Sequence, residues 1–382
     1  MKIRLRYQLA LFTTIRTVIN TMYRLVYPFL GVFARGLGVD IADLSLALTV
    51  RSIIGTFGPF AATVADQRGR KFGMLLGLGI FTAGVSVVVF WPTFPGLVIA
   101  LILSTMGKFI FDPVMQAYIG DRVPYERRGL AIAITEFGWS LAFIVGIPLM
   151  GFVISRSGWM APFSLLALLG ALTLVMLIFI LPRDDHRPNP DSTVFSNIRL
   201  VLASVPTLAG ISIGLWASAS NEVVNLIFGV WLEDAFALQI AALAGASAVI
   251  GFSELAGEGL VAVFVDKLGK PRAVAMGLVA NCGAALFLPL IGRTPAGALV
   301  GLFLFYITFE FTLVSIVPMM TEALPEARAT VMAFNVSAFS LGRAIGAPLA
   351  PFLYHYGFAV TAAGAVVLNI FALLALRRMQ RK

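Results

Sequence analysis

The sequence predicts an all-α polytopic membrane protein of about twelve transmembrane helices, arranged as two pseudo-symmetric six-helix bundles. Three observations lead there. Of 382 residues, 59% are hydrophobic and only 12% charged, with a mean hydropathy of +0.94, which is too little polar surface to wrap a soluble core of this size. Apolar stretches of about 18 to 25 residues, each able to cross ~30 Å as a helix, recur along the whole chain. A short charged loop is also written twice. Asp66, Gln67, Arg68, Gly69, Arg70, Lys71 returns 200 residues on as Asp266, Lys267, Leu268, Gly269, Lys270, each copy joining two apolar runs.

Six spans are expected at 9–33, 42–64, 73–92, 95–119, 129–154 and 159–181. The first follows a basic start, meets Arg16 and lacks a small-residue cleavage site, so it reads as a retained helix. Residues 182–203 carry three prolines, charges and turn-formers, the composition of a linker. Six further spans follow at 205–232, 239–265, 272–291, 296–318, 329–354 and 358–376. This divides the chain into a bundle at 1–181, a cytosolic linker at 182–203 and a bundle at 204–382. The runs are continuous rather than alternating, which favours helices over a barrel, and the 36 glycines suit close helix contacts.

The net charge of +9 could point to nucleic acid, but its distribution points elsewhere. Of the Lys and Arg outside the spans, all but Arg35, Arg156 and Arg293 fall on even-numbered loops and both termini, among them Lys2, Arg68, Arg127, Arg187, Lys270 and Lys382. Positive loops stay inside, so both termini are expected in the cytoplasm. The single Cys282 excludes an intrachain disulfide and gives no metal cluster. His186 and His355 lie at loops or span ends, so no imidazole relay crosses the bilayer.

The repeat extends into the spans. Gly146, Pro148 and Gly151 recur as Gly346, Pro348 and Pro351, again 200 residues on. One such match alone would mean no more than a kinked helix, but several in register mark a duplicated, parallel bundle whose glycine-proline pairs are candidate hinges. With the repeated loop cytosolic in both copies, each half holds an even number of spans.

On these residues the chain resembles the major facilitator superfamily. The family's loop between spans two and three carries a Gly, x, x, x, Asp, basic, x, Gly, basic, basic pattern, matched here by Asp66, Gly69, Arg70 and Lys71 and departed from at Ala62 and Gln67. Asp121 and Arg122 open a stretch similar to the family's loop after span four. Gly138, Gly146, Pro148 and Gly151 are similar to its span-five antiporter motif, although Ile147 separates a glycine and proline that the family keeps adjacent. The resemblance implies that spans three, six, nine and twelve face lipid, while one, four, seven and ten line a central cavity. It also implies a cytosolic gate at Asp66, Gly69, Arg70, Lys71, Asp121, Arg122, Asp266, Gly269 and Lys270, where carboxylates bond guanidinium and ammonium groups in one conformation and release them in another. The plain alternative is that basic loops only fix topology.

Eleven ionisable residues fall inside the spans: Arg16, Arg24, Arg51, Lys108, Asp112, Glu136, Glu222, Glu254, Glu258, Glu310 and Arg343. Left in lipid they would cost on the order of 30 kcal/mol, so they must face the bundle interior or water. Spans three, six, nine and twelve hold none. Arg24 and Glu222 each sit about 17 Å below the outer surface by helical rise, near the midplane, while Arg16 lies where snorkelling is cheap. Lys108 and Asp112, four apart, can pair on one helix face. Glu254 and Glu258, also four apart, repel unless one carries a proton, which is proton-carrier chemistry. Arg24, Lys108, Asp112, Glu136, Glu222, Asn225, Glu254, Glu258, Glu310 and Arg343 form the expected pathway, with Arg16, Arg24, Arg51 and Lys108 weighting the first half positive and four glutamates the second half negative.

The expected function is secondary active transport of a small molecule by alternating access, proton-coupled, with efflux of amphipathic compounds first and uptake of a charged or zwitterionic metabolite second. No phosphate-binding loop of the Gly, x, x, x, x, Gly, Lys, Ser/Thr type occurs, so a fuel site is not expected. A polytopic enzyme using Glu254 and Glu258, or Lys108 and Asp112, as acid and base is the competing class; a receptor is a further one. The expected partners are the solute, protons and the lipid of an inner membrane, around a monomer, with no cofactor, metal or nucleic acid.

Overall fold

The computed structural model describes residues 3–58, 69–182, 194–324 and 327–380, and all regular structure among them is helical. Ten of these helices are long and apolar enough to cross a membrane. The first expected span is not among the ten: it is broken as α1 (Ile3–Arg24) and α2 (Leu30–Leu37), and Arg4, Arg6, Arg16 and Arg24 leave α1 less apolar than the other spans. Pro28 brings no N–H, and the Arg24 carbonyl instead takes the Tyr27 N–H at 3.3 Å in a tight turn. The second expected span is described over α3 (Ile41–Thr56).

The first half continues with α4 (Arg70–Phe90), α5 (Phe94–Arg122), α6 (Tyr125–Leu141), α7 (Ile147–Ser157) and α8 (Ala161–Ile180). Ala142–Gly146, between α6 and α7, forms a π-turn in which the Ile147 N–H bonds the Ala142 carbonyl. Pro148 explains the widening, since its ring excludes an ordinary bond one turn back. The expected linker is partly helical: α9 (Val194–Ala203) occupies its second part, because Val194, Phe195, Ile198, Val201 and Leu202 carry an apolar helical spacing.

The second half repeats the first. Span seven breaks as α10 (Val205–Asn225) and α11 (Phe228–Phe236), about 200 residues after the first break. Then come α12 (Ile240–Leu268), α13 (Lys270–Ile291), α14 (Pro295–Met320), α15 (Arg328–Tyr354) and α16 (Phe358–Gln380). The caps repeat as well: Thr93 accepts the Gly96 N–H at 3.3 Å to start α5, and Thr294 accepts the Gly297 N–H at 3.2 Å to start α14.

The chain forms two compact units, one of Met1–Asp40, Phe57–Pro190 and Ile240–Ala248, the other of Ile41–Thr56, Asp191–Gln239 and Val249–Lys382. In the first, α1 packs on α6 and α8, and α4 on α5 and α8. In the second, α10 packs on α15 and α16, and α13 on α14 and α16, which is the same scheme. The units differ from the sequence halves in one helix above all. In the second unit α3 lies along α15, where the Ser45 hydroxyl donates to the Ala347 carbonyl at 2.7 Å and the Ser337 hydroxyl to the Thr56 carbonyl at 2.7 Å.

Burial follows the same plan. The α10–α11 span is 89% buried over its apolar window, whereas α8 is 28% buried and turns Leu168, Leu172 and Phe179 outward. Such an apolar exterior has its place in hydrocarbon.

Candidate functional site: buried charge clusters in two membrane units

In the first unit the ionisable side chains converge on one network. Lys108 of α5 donates from Nζ to Asp112 Oδ2 at 2.6 Å, one turn along its own helix, and to Asn20 Oδ1 of α1 at 2.7 Å. Arg16, one turn before Asn20, reaches Asp112 Oδ1 from Nε at 3.3 Å and Glu136 Oε1 from Nη1 at 2.6 Å. Gln116 adds a donor to the same Glu136 oxygen at 3.2 Å. The expected Lys108–Asp112 contact therefore exists, but as part of a larger set. The snorkelling expected of Arg16 is not seen: its side chain is 5% exposed, because two carboxylates on neighbouring helices hold it inside.

Arg24, at the last turn of α1, is 3% exposed, with its guanidinium carbon 3.6 Å above the Trp139 ring and 4.1 Å from that of Phe143. A planar cation on an indole face is favourable in a desolvated site. Lys108 Nζ lies 5.5 Å from the same indole and 5.8 Å from the Tyr23 ring. Close backbone approach makes this packing possible: a Cβ at Gly138 would stand 2.8 Å from Arg16 Cβ, and one at Gly146 only 2.0 Å from Thr21 Oγ1.

In the second unit, Glu222 of α10 is fully buried and Asn225 Nδ2 lies 3.4 Å from its Oε2. Tyr306 of α14 donates its hydroxyl to Asn225 Oδ1 at 2.7 Å. Gly346 plays the part of Gly146, since a Cβ there would meet the Ala219 carbonyl and Glu222 Cβ, each at 2.7 Å. Pro348, unlike Pro148, sits inside the uninterrupted α15. Glu254 is 3% and Glu310 5% exposed, Glu258 half-buried, and a Cβ at Gly257 would lie 2.8 Å from Glu310 Cβ. Glu254 and Glu258 thus flank the point where α12 meets Glu310 of α14.

The charge division between halves needs correction. Arg51 is fully buried in the unit that holds the four glutamates, because α3 packs on α15. Of the eleven ionisable residues, the first unit then carries Arg16, Arg24 and Lys108 against Asp112 and Glu136, and the second Arg51 and Arg343 against Glu222, Glu254, Glu258 and Glu310.

The loop residues also pair in duplicate. Arg70 Nε meets Asp121 Oδ2 at 3.0 Å, and Lys270 Nζ meets Glu322 Oε1, 200 residues on. Gly69 and Gly269 precede these bases with φ of +103° and +81°, a backbone that a side chain would strain. Lys71 Nζ donates to the carbonyls of Ile178 at 2.7 Å and Leu181 at 2.6 Å, where α8 ends and its dipole favours a cation. Arg122 stacks 3.9 Å over Tyr118, and Asp266 is exposed near the end of α12. Asp66 lies outside the described residues.

A duplicated helical bundle with buried, internally paired charge and an apolar exterior is the setting in which sequence relatives become informative. Residues 12–327 match the Major Facilitator Superfamily. The chain belongs to that superfamily. Its members are membrane-embedded transporters of small molecules, and this chain is a multi-pass membrane protein of that kind. A major facilitator relative, the uncharacterized MFS-type transporter YbcL of Bacillus subtilis (strain 168), is 24% identical over 342 residues, covering 86% of this chain and 85% of that one. The quinolone resistance protein NorA of Staphylococcus aureus is 26% identical over 170 residues, 44% of this chain and 42% of its own. The crystal structure of a bacterial homolog to the human lysosomal transporter Spinster superposes with a TM-score of 0.77 at 16% identity, covering 99% and 97% of the two chains, and so shares the fold.

Sequence reasoning missed Asn20, Gln116, Trp139 and Tyr306. Each is uncharged, and polar or aromatic residues in a membrane helix are too common to mark a site; spacing relative to a neighbouring charge was the one signal available for Asn20, four residues after Arg16.

Proposed function

We propose that the protein is a proton-coupled secondary transporter that expels amphipathic small molecules from the cytoplasm, working as a monomer in the inner membrane with both termini cytoplasmic. The observation that carries this reading is the fully buried Glu222, held by Asn225 in a unit that carries four span carboxylates and two span arginines. Buried carboxylates are the membrane groups able to take up and release a proton near neutral pH, whereas arginine keeps its own. The cation and indole surface around Arg24 and Trp139 supplies flat apolar contact next to polar groups, as an amphipathic solute requires. The name of the NorA relative, a quinolone resistance protein, supports efflux.

In this reading the Arg70–Asp121 and Lys270–Glu322 pairs are a two-part cytoplasmic latch, and the glycine seams at Gly146 and Gly346, with Pro148 and Pro348, are where the bundles flex. Uptake of a zwitterionic metabolite is the second reading, favoured by the opposite charge excess of the two units.

The test is reconstitution in liposomes with an imposed pH gradient and a fluorescent amphipathic cation as probe. Gradient-driven movement should occur, and fall at least about tenfold in Glu222→Gln and Glu254→Gln with the melting temperature retained. Equal flux with and without the gradient, or in both variants and the parent, would overturn the coupling.

A further inference from the structure

We infer that the cleft between α1 and α8, at the end where α1 begins and α8 finishes, binds an anionic phospholipid, with one acyl chain in the cleft and the phosphate against the arginines of α1. The cleft has a volume of about 460 Å³ and lies wholly within the first unit. Tyr7, Ala10, Leu11 and Thr14, one face of α1 over two turns, form one wall, and Met176 and Phe179 of α8 belong to the other. Seven residues of helix rise about 10 Å, so this is a trough running along α1. Leu11, 4% exposed, is its floor, whereas Tyr7 at 66% and Phe179 at 80% stand open on either side. The trough is apolar along its depth. Its one hydroxyl beyond Tyr7, that of Thr14, already donates to the Ala10 carbonyl of its own helix at 3.0 Å. A polar solute would lose its water there for little return.

The walls decide what fits. α8 turns an apolar exterior outward, so the trough opens on hydrocarbon. A helix of a second copy, about 10 to 12 Å across, cannot enter between two helices packed with their axes about 8 to 10 Å apart, whereas a single acyl chain can.

The mouth selects the headgroup. Lys2, Arg4 and Arg6 precede Tyr7, and the chain has no acid before Asp40. Arg6 is exposed, and α8 carries no ionisable residue. Arg183, Asp184, Asp185 and Arg187, beyond α8, lie outside the described residues and sum to zero charge. One wall is thus basic at its mouth and the other neutral. Guanidinium groups bond phosphate oxygens in pairs, and an amphipathic ring such as that of Tyr7 is favoured at headgroup level. A headgroup that adds its own cation would be opposed by the same arginines, which favours phosphatidylglycerol over phosphatidylcholine. In the orientation proposed above this end lies in the cytoplasmic leaflet, whose anionic lipids attract basic segments of this kind. Arg16 of the buried charge network follows Thr14 by two residues, so a lipid in the trough braces the helix that carries it.

The test is native mass spectrometry of the full-length protein in detergent, stripped of lipid and titrated with dioleoylphosphatidylglycerol or dioleoylphosphatidylcholine. The first equivalent of the anionic lipid should bind at least about tenfold more tightly than the zwitterionic one and raise the melting temperature. Ala10→Phe, which fills the trough at an exposed position, should weaken that equivalent about tenfold, and Thr14→Phe, also at an exposed position, provides a second filled variant if the first folds poorly. Arg4→Gln with Arg6→Gln should bring the two lipids to equal affinity. Arg377→Gln with Arg378→Gln, at exposed arginines of the other unit, should leave the first equivalent unchanged. Equal binding of the two lipids by the parent, no loss in the folded filled variants, or as large a loss at Arg377 and Arg378 as at Arg4 and Arg6 overturns the lipid site. Displacement of the lipid by the fluorescent amphipathic cation would make the trough a solute entrance and overturn it too. Binding in detergent does not depend on sidedness, so a reversed orientation of the chain would leave these results unchanged and is told apart from failure of the site.

Discussion

Lys108 is held on one side by Asp112 and on the other by Asn20, with Lys108 and Asn20 buried in the first unit and Asp112 15% exposed. Removing one partner of a buried ion pair leaves the other charge uncompensated, which costs about 3 to 5 kcal/mol in a fully buried pair. Here Asp112 keeps Arg16 at 3.3 Å, so Lys108→Met should cost less, about 2 kcal/mol, read as a lower midpoint in denaturant titration of the detergent-solubilised protein. Adding Asp112→Leu should restore part of the loss, since a pair replaced together leaves no orphan. Which residues would be ionic partners was legible only within one helix: the four-residue spacing of Lys108 and Asp112 predicts their contact, whereas Arg16 meeting Glu136 depends on how α1 and α6 are rotated about their axes. A linear pattern gives depth along a helix and not its facing, and for that reason depth alone suggests snorkelling at Arg16.

At the scale of elements, the breaks after Arg24 and Asn225 were hidden because the apolar pattern continues across them; only Pro28 marks one of the two. The hinge glycines were legible as repeats but their reason is contact. Gly146→Ala should force α1 away from the fifth span, since its Cβ would stand 2.0 Å from Thr21 Oγ1, with a loss of about 1 to 3 kcal/mol. Thr21→Ala removes that oxygen and should recover most of it in a double-mutant cycle; full additivity would show that the two do not touch. The latch elements behave differently. Asp121 is 42% exposed, so Arg70→Asp should change stability by no more than about 1 kcal/mol yet alter the rate of conformational cycling, measured by fluorescence of a dye-labelled cysteine. The exchanged pair, Arg70→Asp with Asp121→Arg, should restore the rate, and a latch that is only a topology signal would not respond to the exchange.

For the whole molecule, composition and the 200-residue repeat were enough to predict a helical membrane protein with the same internal packing in both copies, because burial in lipid and duplication are both written in one dimension. The membership of α3 was not: its apolar faces say that it is covered, not by which neighbour. Its partner lies far along the chain, 302 residues from Ser45 to Ala347 and 281 from Thr56 to Ser337. That distance sets a schedule during biosynthesis. At roughly 5 to 20 residues per second, the ribosome needs about 15 to 60 s after making α3 before α15 exists to receive it. Until then the nascent second span holds Arg51 in the bilayer without its native neighbours. Chains truncated before α15 should accordingly be cleared faster by membrane quality-control proteases than chains truncated after it, and Arg51→Leu should slow that clearance in a pulse-chase experiment.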